Sequence, residues 1–485
     1  MAQSRLEEIR QIRLEKLQKI KSLGIDPYPA KFSKAIISVA KARKTAGTVA
    51  VAGRLWKMRE HGNVIFADLK DESGQIQLLF QNKKLEENFD VLKLLDVGDF
   101  LGVEGEVITT QAGEITVDVN YFEILAKSLR PLPDDWFGLK DIEERYRQRY
   151  VDLLLSDPAR QVFLTRTKIV TLLRQALDKE GFVEVETPVL QSIYGGAAAK
   201  PFTTHHKALD VDFYLRISDE LFLKRLIVGG FDKVYEIGKD FRNEGVDRSH
   251  NPEFTMLEFY WAYVDYEDLM HFTEKLLSEV VKHIHGSYHF TYQGKTLDFT
   301  PPWPRVSYRD AILKHAGIDI DQENTEEKLK QAIKKIGTNL GGKKPIGFGD
   351  LMDTLYKITT RPHLTGPMFL TDRPTEFVTL AKRRPDDPNR TSSFQLLVAG
   401  EEVINAYNEL NDPQDQAKRW RESEELGKKG HEEHEAFDDD YIRALEYGMP
   451  PTAGWGMGID RFTALLTDQP SLKDTILFPT LRPEK

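Results

Sequence analysis

The sequence has 485 residues, of which 40% are hydrophobic and 30% charged, and it contains no cysteine. At roughly 150 residues per domain this length predicts two or three domains, and the lack of cysteine excludes disulfides, thiolate zinc sites and cysteine nucleophiles. No run of about 18 apolar residues and no apolar signal segment is present, which predicts a soluble, cytosolic protein without a membrane partner.

The net charge of −10 is unevenly distributed along the chain. Residues 1–54 contain 12 Lys and Arg against 4 Asp and Glu, a surplus of +8, so the remaining residues total −18. Apolar residues recur about every three positions from 4 to 23, which predicts an amphipathic helix that Gly24 and Pro27 end. This basic helix is compatible both with an ordinary solvated surface and with a nucleic-acid contact.

Five short segments of alternating apolar and polar residues, separated by glycine turns, lie between about residues 49 and 126. Five antiparallel strands in this length predict an OB-fold barrel, whose open face binds single-stranded nucleic acid by stacking bases on aromatic side chains. On the second strand Phe66 and Asp68 share a face, and Gln77 on the third strand can join them. A core position for Phe66 is equally compatible with the pattern.

A stretch rich in proline and charge at 127–140 predicts a linker. The predicted α+β chain therefore has four parts: a basic helical extension (1–44), a barrel domain (45–130), a linker (131–145) and a large domain (146–485). In the large domain the pattern predicts a helix over about 158–180 and then a strand, EVETPVL. An acidic stretch at about 414–440 is typical of a helical surface insertion, where His431 and His434 lack further metal ligands.

One segment nearly matches the phosphate-binding loop GxxxxGK[ST], namely GTNLGGKK at 337–344. It ends in Lys344 where a Ser or Thr should bind Mg²⁺, and it follows a lysine-rich helix instead of a strand. We therefore reject it, and any nucleotide must be bound in another way.

The segment FRNEGVDRSHNPEFTMLEFYWAY at 241–263 reads as a strand end, a polar turn and a second strand. In that second strand Phe254, Met256, Glu258 and Tyr260 share one face, because alternate residues of a strand point to the same side. A carboxylate placed between aromatic residues is unlike an ordinary solvated charge, so this face is a candidate site.

Three glycines precede an arginine near the C-terminus, in GWGMGIDRF at 454–462. Glycine allows close backbone packing, and the guanidinium that follows can bind oxyanions in a bidentate manner. Arg242 and Arg461 are therefore candidates for binding phosphate oxygens from two distant segments.

Taken in order, TPVL with Pro188, FRNEG and GMGIDRF resemble the three signature motifs of class II aminoacyl-tRNA synthetases. Further segments resemble the lysyl members in particular: LGIDPYP, GGAAAKPF, HHKALD, FLKRL, HNPEFTMLEFY, NELNDPQDQ and ILFPTLRP. The resemblance covers nearly the whole chain. It implies a catalytic domain built on an antiparallel sheet with flanking helices, an OB-fold domain that reads the anticodon, and homodimers formed through the segment with Pro188.

The resemblance also implies a lysine–tRNA ligase reaction. The lysine carboxylate attacks the α-phosphorus of ATP, pyrophosphate leaves, and lysyl-adenylate passes the lysyl group to the 3′ end of tRNA(Lys). Arg242 and Arg461 are implied as catalytic residues on the α- and γ-phosphates. Nucleotide binding is implied for Arg242, Glu244, His250, Asn251, Phe254, Glu402 and Arg461. No protein nucleophile is needed, because the rate enhancement comes from positioning of the reactants and from cations that offset the phosphate charge.

Lysine has two ammonium groups, so its pocket should present carboxylates in two directions. On the strand VINAYNEL (403–410), Asn405, Tyr407 and Glu409 share a face. The resemblance implies lysine binding by seven residues: Gly196, Glu220, Glu258, Tyr260, Asn405, Tyr407 and Glu409. Taken one at a time, each Glu would be read as a surface ion pair.

Magnesium is the implied cofactor, because the charge of the triphosphate needs to be neutralised and hard oxygen ligands suit this ion. The family pattern places acidic ligands at positions that are here Gln395 and Glu402, with Glu409 as a further candidate. Gln395 departs from the pattern and puts one metal position in doubt. Arg248 also departs, because it lies one place earlier than the arginine of many bacterial members. Anticodon contacts are implied for Phe66, Gln77 and, less surely, Glu114.

Three rival readings remain. An aspartyl- or asparaginyl-type synthetase is disfavoured by the Glu-rich pocket. An inactive paralogue that binds RNA or regulates a partner is expected to lose Arg242, Glu244 or Arg461, and all three are present. A relative that lysylates a protein typically lacks the anticodon-binding domain. The strands predicted at 49–126 indicate that this chain has that domain, which disfavours this third reading.

Overall fold

The computed structural model describes residues 2–133, 139, 141–340, 345, 347–428 and 436–484. The chain forms two compact units, Met1–Leu139 and Lys140–Lys485. The four-part domain division inferred from the sequence stays a prediction, because the structure divides the chain only once. None of the helices in these ranges is long and apolar enough to cross a membrane.

The first unit combines short helices with five strands. The helices are α1 (Ala2–Ser22), α2 (Val39–Ala42) and α3 (Asn82–Leu85), with a 3₁₀ helix at Glu86–Leu94. The strands are β1 (Gly47–His61), β2 (Val64–Asp71), β3 (Gly74–Gln81), β4 (Phe100–Thr109) and β5 (Ile115–Ala126). They close into a barrel in the order β1-β2-β3-β5-β4, which confirms the predicted five-stranded barrel.

Alternation along the barrel strands fills the interior with apolar side chains, as a strand's two-residue period requires. Ile65, Leu78, Val103 and Val117 belong to this core and are fully or almost fully buried. Ile20 of α1 is buried in the same core, so the predicted N-terminal amphipathic helix packs its apolar side onto the barrel.

The second unit is built from many short and long elements around one large sheet. Its helices are α4 (Ile142–Arg147), α5 (Arg149–Leu155), α6 (Asp157–Glu180), α7 (Glu220–Val228), α8 (Tyr266–His285), α9 (Tyr308–Ala316), α10 (Glu326–Lys335), α11 (Gly347–Thr359), α12 (Pro413–Lys428), α13 (Asp439–Glu446) and α14 (Ile459–Leu466). Short 3₁₀ helices lie at Arg361–His363, Thr375–Phe377 and Leu472–Asp474. Its strands are β6 (Val183–Glu184), β7 (Leu190–Gln191), β8 (Thr203–His206), β9 (Val211–Leu215), β10 (Lys233–Phe241), β11 (Glu253–Ala262), β12 (His289–Tyr292), β13 (Lys295–Asp298), β14 (Arg305–Ser307), β15 (Met368–Thr371), β16 (Ser393–Val398), β17 (Glu401–Asn408) and β18 (Thr452–Gly458).

Eight strands form the main sheet, in the order β14-β15-β16-β17-β18-β11-β10-β6. The five pairs from β15 to β10 are antiparallel, and only the edge pairs β14–β15 and β10–β6 are parallel. One face carries residues such as Leu257, Phe259 and Trp455, which pack with Leu173 of α6 and Leu277 of α8 in the main core. The opposite face is left for the candidate site.

Two expectations about elements need correction. The segment EVETPVL is not one strand: only β6 and β7 pair at its two ends, and Pro188 lies between them, where it cannot donate to a ladder. The acidic segment from 414 is not solvated throughout, because Trp420 of α12 is 0% exposed and packs with Tyr441 of α13. His431 and His434 lie outside the described residues, as do 341–344 of the rejected phosphate loop.

Candidate active site

A cavity of about 350 Å³ lies on the open face of the main sheet. Among the residues that line it are nearly all the large-domain residues singled out from the sequence: Gly196, Glu220, Arg242, Glu244, His250, Asn251, Phe254, Glu258, Tyr260, Glu402, Asn405, Tyr407, Glu409 and Arg461. Gln395 and Arg248 are not among the lining residues. Segments that are more than 260 residues apart in the sequence thus share one cavity.

The floor of this cavity is made by the glycines of β18. Gly454 lies between Tyr260 of β11 and Tyr407 of β17, and Gly456 lies between Glu258 and Asn405 of the same two strands. A Cβ atom on Gly454 would overlap the Glu409 carboxylate and the Tyr260 ring. The alternating glycines therefore leave a trough between two rows of functional side chains.

One end of the cavity is acidic. Glu220, Glu258 and Glu409 are only 5%, 6% and 1% exposed. The Tyr407 hydroxyl donates to both oxygens of Glu220, at 2.8 and 2.7 Å. Glu258 accepts hydrogen bonds from Ser218 Oγ at 3.1 Å and from the Tyr260 hydroxyl at 3.2 Å. Three carboxylates from α7, β11 and the end of β17 thus converge, as the two cationic groups of lysine require.

Lys224 lies behind these carboxylates and was not singled out from the sequence. Its side chain is 0% exposed, and its ammonium forms ion pairs with Glu220 Oε1 and Glu409 Oε2. The Tyr260 and Tyr407 rings lie 6.0 and 5.7 Å from its Nζ, close enough for cation–π attraction. Although burial alone would lower it, the carboxylates of Glu220 and Glu409 raise the pKa of Lys224 well above its usual range.

Burial changes the acidity of this end strongly. It raises the pKa of Glu258 to about 8, with the Asp240 and Glu220 carboxylates adding to the effect. Burial raises the pKa of Glu409 well above its ordinary value, although Lys224 acts in the opposite direction. Buried carboxylates with raised pKa values favour the binding of further cations, because a nearby ammonium group offsets the free-energy cost of ionising them.

The other end of the cavity carries arginines. The Arg242 guanidinium lies 5.1 Å from the centre of the Phe254 ring, and its Nε donates to the Ile217 carbonyl at 3.3 Å. Arg461 donates from Nη1 to the backbone carbonyl of Glu402. Both guanidinium groups line the cavity with donors to spare, so this end suits an oxyanion next to a planar ring.

The polar turn after β10 contributes residues of different character. Asn251 is buried, donating to the Glu253 carbonyl at 2.6 Å and accepting from the Thr480 amide at 3.1 Å. These bonds indicate that Asn251 shapes the turn. His250 is exposed and pairs with Asp247 at 3.0 Å. Arg248 is exposed, and its backbone carbonyl accepts from the Leu472 amide at 3.0 Å.

The predicted metal ligands do not form a cluster. Glu402 Oε2 accepts from the Gln395 amide at 2.6 Å, so Gln395 orients this carboxylate from outside the cavity lining. Glu409 is engaged with Lys224 instead. No group of three His, Asp or Glu residues that could hold a metal occurs within the described ranges. Glu402 fits Mg²⁺ as one carboxylate beside substrate phosphates, a usual arrangement for this ion, whereas Glu409 does not fit.

A second layer of buried charges supports the site, and sequence reasoning missed it. Arg216 pairs with Asp219 at 3.0 Å, with Glu236 at 2.6 Å and with Asp240 at 3.3 Å. Burial, with the Asp240 carboxylate nearby, raises the pKa of Asp219 to about 11. The segment RISDELFLKRL holds Arg216, Asp219 and Lys224, and such charges in an otherwise apolar helix start were the available signal.

The barrel unit carries its own candidate site. Phe66 is half-buried and lies outside the barrel core, which answers the open question about this side chain. Gln77 pairs in register with Asp68, next to Phe66 on the outer face of β2, and accepts from the Thr116 hydroxyl at 2.9 Å. Glu114 is exposed, 3.7 Å from Arg43. An aromatic ring beside amide groups on an open barrel face suits stacking of nucleotide bases.

Comparison with known proteins defines the class. Residues 141–482 match the family model described as tRNA synthetases class II (D, K and N), and residues 49–125 match the model described as OB-fold nucleic acid binding domain. The chain therefore belongs to the class II tRNA synthetases of this family. It has the predicted α+β fold, with an OB-fold barrel and a class II catalytic domain.

Individual relatives narrow the comparison further. A lysine–tRNA ligase from Dehalococcoides mccartyi is 48% identical over 482 residues, which cover 97% of this chain and 96% of the relative. Lysine–tRNA ligases from Pelotomaculum thermopropionicum and Carboxydothermus hydrogenoformans are each 46% identical, over 99% and 100% of this chain and 96% and 100% of their own lengths. The similarity thus spans both units.

Proposed function

We propose that this chain is a lysine–tRNA ligase, which activates L-lysine with ATP to lysyl-adenylate and transfers the lysyl group to the 3′ end of tRNA(Lys). The observation that carries the proposal is the division of one cavity into an end with three buried carboxylates and an end with two arginines. A substrate with two cationic groups and one anionic group complements such a cavity. The names of the relatives, which match from end to end, agree with it.

In this proposal Glu409, Glu258 and Tyr260 receive the ε-ammonium, while Glu220 and Gly196 meet the α-amino group. Asn405 and Tyr407 complete the pocket. A neutral side chain would bring no ammonium group to offset the remaining negative charge of this buried site, which is a strong basis for rejection. Aspartate would bring a fourth carboxylate to this end, so the geometry disfavours an aspartyl-type activity.

At the other end, Arg242 binds the lysine carboxylate and the α-phosphate, and Phe254 stacks on the adenine. Glu244, His250 and Asn251 surround the nucleotide, and Arg461 binds the γ-phosphate. The two guanidinium groups keep the attacking carboxylate and the phosphates in line and offset the charge that develops on the phosphate oxygens. Pyrophosphate leaves, and the terminal ribose hydroxyl of tRNA then attacks the carbonyl carbon of the mixed anhydride, which forms the ester and releases AMP.

Magnesium is proposed as the cofactor, with Glu402 as the carboxylate that holds it and Gln395 orienting Glu402 through its amide. When bound, the ion neutralises phosphate charge and favours pyrophosphate as a leaving group. Glu409 is left out of this role, because its carboxylate is paired with Lys224.

For tRNA, the proposal assigns the anticodon to the outer barrel face with Phe66 and Gln77, and Glu114 remains a weaker candidate. The basic residues of 1–54 supply the electrostatic attraction that phosphate backbones need. A cytosolic location agrees with this partner and stays a prediction.

A homodimer is proposed through the segment that holds Pro188. Support comes from the small sheet β7-β9-β8 and its surroundings, where several apolar side chains are more than a third exposed: Val189, Leu190, Ile193, Leu209 and Val211. An apolar patch of this kind marks an interaction surface. A chain that sediments only as a monomer at micromolar concentration would contradict this part of the proposal.

The decisive experiment is amino-acid-dependent exchange of pyrophosphate into ATP, measured for each of the standard amino acids with and without Mg²⁺. We expect exchange with lysine and not with aspartate or asparagine. Exchange with aspartate alone would overturn the specificity, and exchange with no amino acid would favour the inactive RNA-binding paralogue. Charging of tRNA(Lys) in the same preparation then tests the second step.

A further inference from the structure

A fully buried lysine, Lys224, lies behind the acidic end of the cavity. It does not line the cavity, yet its ammonium contacts two of the three carboxylates that do, Glu220 and Glu409. The proposed reaction gives it no role. A buried ammonium loses its hydration, so its presence needs a compensating interaction.

The position of the Glu409 carboxylate depends on Lys224. Within the described ranges, neither of its carboxylate oxygens accepts a hydrogen bond of ordinary geometry, and its Oε2 contacts Lys224. Glu220 and Glu258, by contrast, are held by hydroxyl donors from Tyr407, Ser218 and Tyr260. Lys224 is thus the cation that holds Glu409 at the wall of the cavity.

Charge matching gives the second argument. With lysine bound, its ammonium groups favour the ionised form of all three carboxylates, which then carry −3 against the two ammonium charges of the substrate. The carboxylate of the substrate lies at the Arg242 end. Lys224 reduces the acidic end to −2, which matches the two ammonium groups of the substrate. Because buried charges are costly unless balanced, an excess of either sign in this pocket weakens binding.

We infer that Lys224 is a specificity-determining positioning residue, which holds Glu409 in place and sets the acidic end to the charge of doubly cationic lysine. The contact between Lys224 and Glu220 follows from the helix, since Lys224 comes four residues after Glu220 on α7 and therefore lies on the same helix face. The inference rests on the proposed lysine activity and concerns the same pocket.

The test compares four forms of the full-length chain by lysine-dependent pyrophosphate exchange: the unsubstituted chain, Lys224→Met, Glu409→Gln and the double variant. Met keeps the length of the side chain and removes the charge. Each single variant unbalances the pocket by one charge, in opposite directions, whereas the double variant restores −2. We expect each single change to raise the KM for lysine by at least about tenfold, with a much smaller effect on the KM for ATP.

The double variant decides between charge balance and mere packing. Charge balance predicts that its KM for lysine is lower than that of Glu409→Gln alone. A KM equal to or higher than that of Glu409→Gln would overturn the role of Lys224, because removal of a second, independent contact only adds to the loss. This comparison needs no folded Lys224→Met protein, and thermal melts check that the two compared forms are folded.

The failure of this inference can be told apart from failure of the proposed function. Absence of lysine-dependent exchange in the unsubstituted chain would overturn the function itself. Exchange in the unsubstituted chain, combined with a double variant no better than Glu409→Gln, would overturn only the role of Lys224. A Lys224→Arg form, which keeps the charge, should retain more affinity for lysine than Lys224→Met, and the reverse order would also count against the inference.

Discussion

The three carboxylates of the acidic end differ in what holds them, and the difference separates their roles. Hydroxyl groups of Tyr407, Ser218 and Tyr260 donate to Glu220 and Glu258. Glu409 is the most buried of the three, and among the described residues its carboxylate has the Lys224 ammonium as its one charged partner. A buried carboxylate with few donors gains most from a second cation, so Glu409 should contribute most to recognition of the ε-ammonium.

Changing Glu409 to Gln should therefore raise the KM for lysine roughly 100-fold, a loss of about 3 kcal/mol, because it leaves a buried ammonium without its counter-charge. The KM for ATP should change by less than about threefold, since the phosphates bind at the other end. Pyrophosphate exchange at varied lysine and varied ATP measures both.

Glu401→Gln is the matched control for this substitution. Glu401 begins β17, the strand that Glu409 directly follows, and lies outside the cavity lining, where it pairs with Arg361 at 2.7 Å. A partly exposed ion pair of this kind contributes roughly 0–1 kcal/mol, so both KM values should stay near those of the unsubstituted chain. Equal changes in the two KM values of Glu409→Gln would remove this residue from the ε-ammonium site.

Strand β18 shows how one element determines the shape of the site. Its odd residues Trp455 and Met457 belong to the main core, and its even residues from 454 onward are the three glycines that form the cavity floor. The three glycines are not equivalent. A Cβ on Gly454 would overlap Glu409 and Tyr260, whereas on Gly456 it would come no closer than 3.4 Å to Met256.

A Gly454→Ala change should therefore damage lysine recognition far more than Gly456→Ala. The added methyl must displace the Glu409 carboxylate, and overpacking of this kind costs about 1–3 kcal/mol, so we expect the KM for lysine to rise about 5- to 150-fold. Gly456→Ala requires no displacement and should change the KM less than about threefold. Exchange kinetics and thermal melts of both variants measure the effect.

Similar effects of the two alanines on the KM for lysine would show that the cavity floor tolerates side chains. The missing Cβ of Gly454 would then not be what shapes the pocket. A lower melting temperature for Gly456→Ala than for Gly454→Ala would contradict the packing argument as well. The comparison is internal to one strand, so differences in expression or handling do not enter.

Sequence reasoning reached these elements unevenly, for physical reasons. Strand alternation predicted that Glu258 shares a face with Tyr260 and that Asn405 shares a face with Glu409. Such predictions succeed because the two-residue period of a strand is a local property of the sequence. It could not find Lys224, since a lysine in a helix is ordinarily a surface residue and its burial depends on partners almost 190 residues away. The burial of Trp420 in an acidic segment was missed for the same reason.

At the scale of the whole molecule, the two units carry separate halves of the proposed task. The second unit holds the cavity that we propose for lysine and ATP, and the barrel unit holds the outer face with Phe66 that we propose for tRNA. Amino-acid activation needs only the cavity of the second unit, whereas tRNA charging needs both the cavity and the barrel face. A change on the barrel face should therefore affect one step and leave the other intact.

Changing Phe66 to Ala tests this separation in the full-length chain. Stacking of a base on an aromatic ring contributes about 1–3 kcal/mol, so the KM for tRNA(Lys) should rise about 5- to 150-fold, while lysine-dependent pyrophosphate exchange without tRNA keeps its rate. Tyr121→Ala is the matched control, because Tyr121 is an exposed aromatic on β5 that hydrogen-bonds Glu123 and was not assigned to RNA. Equal effects of the two alanines on tRNA charging would reduce Phe66 to one aromatic among others. A parallel loss of exchange would show that the substitution reaches the catalytic unit, and the separation of tasks would then be wrong.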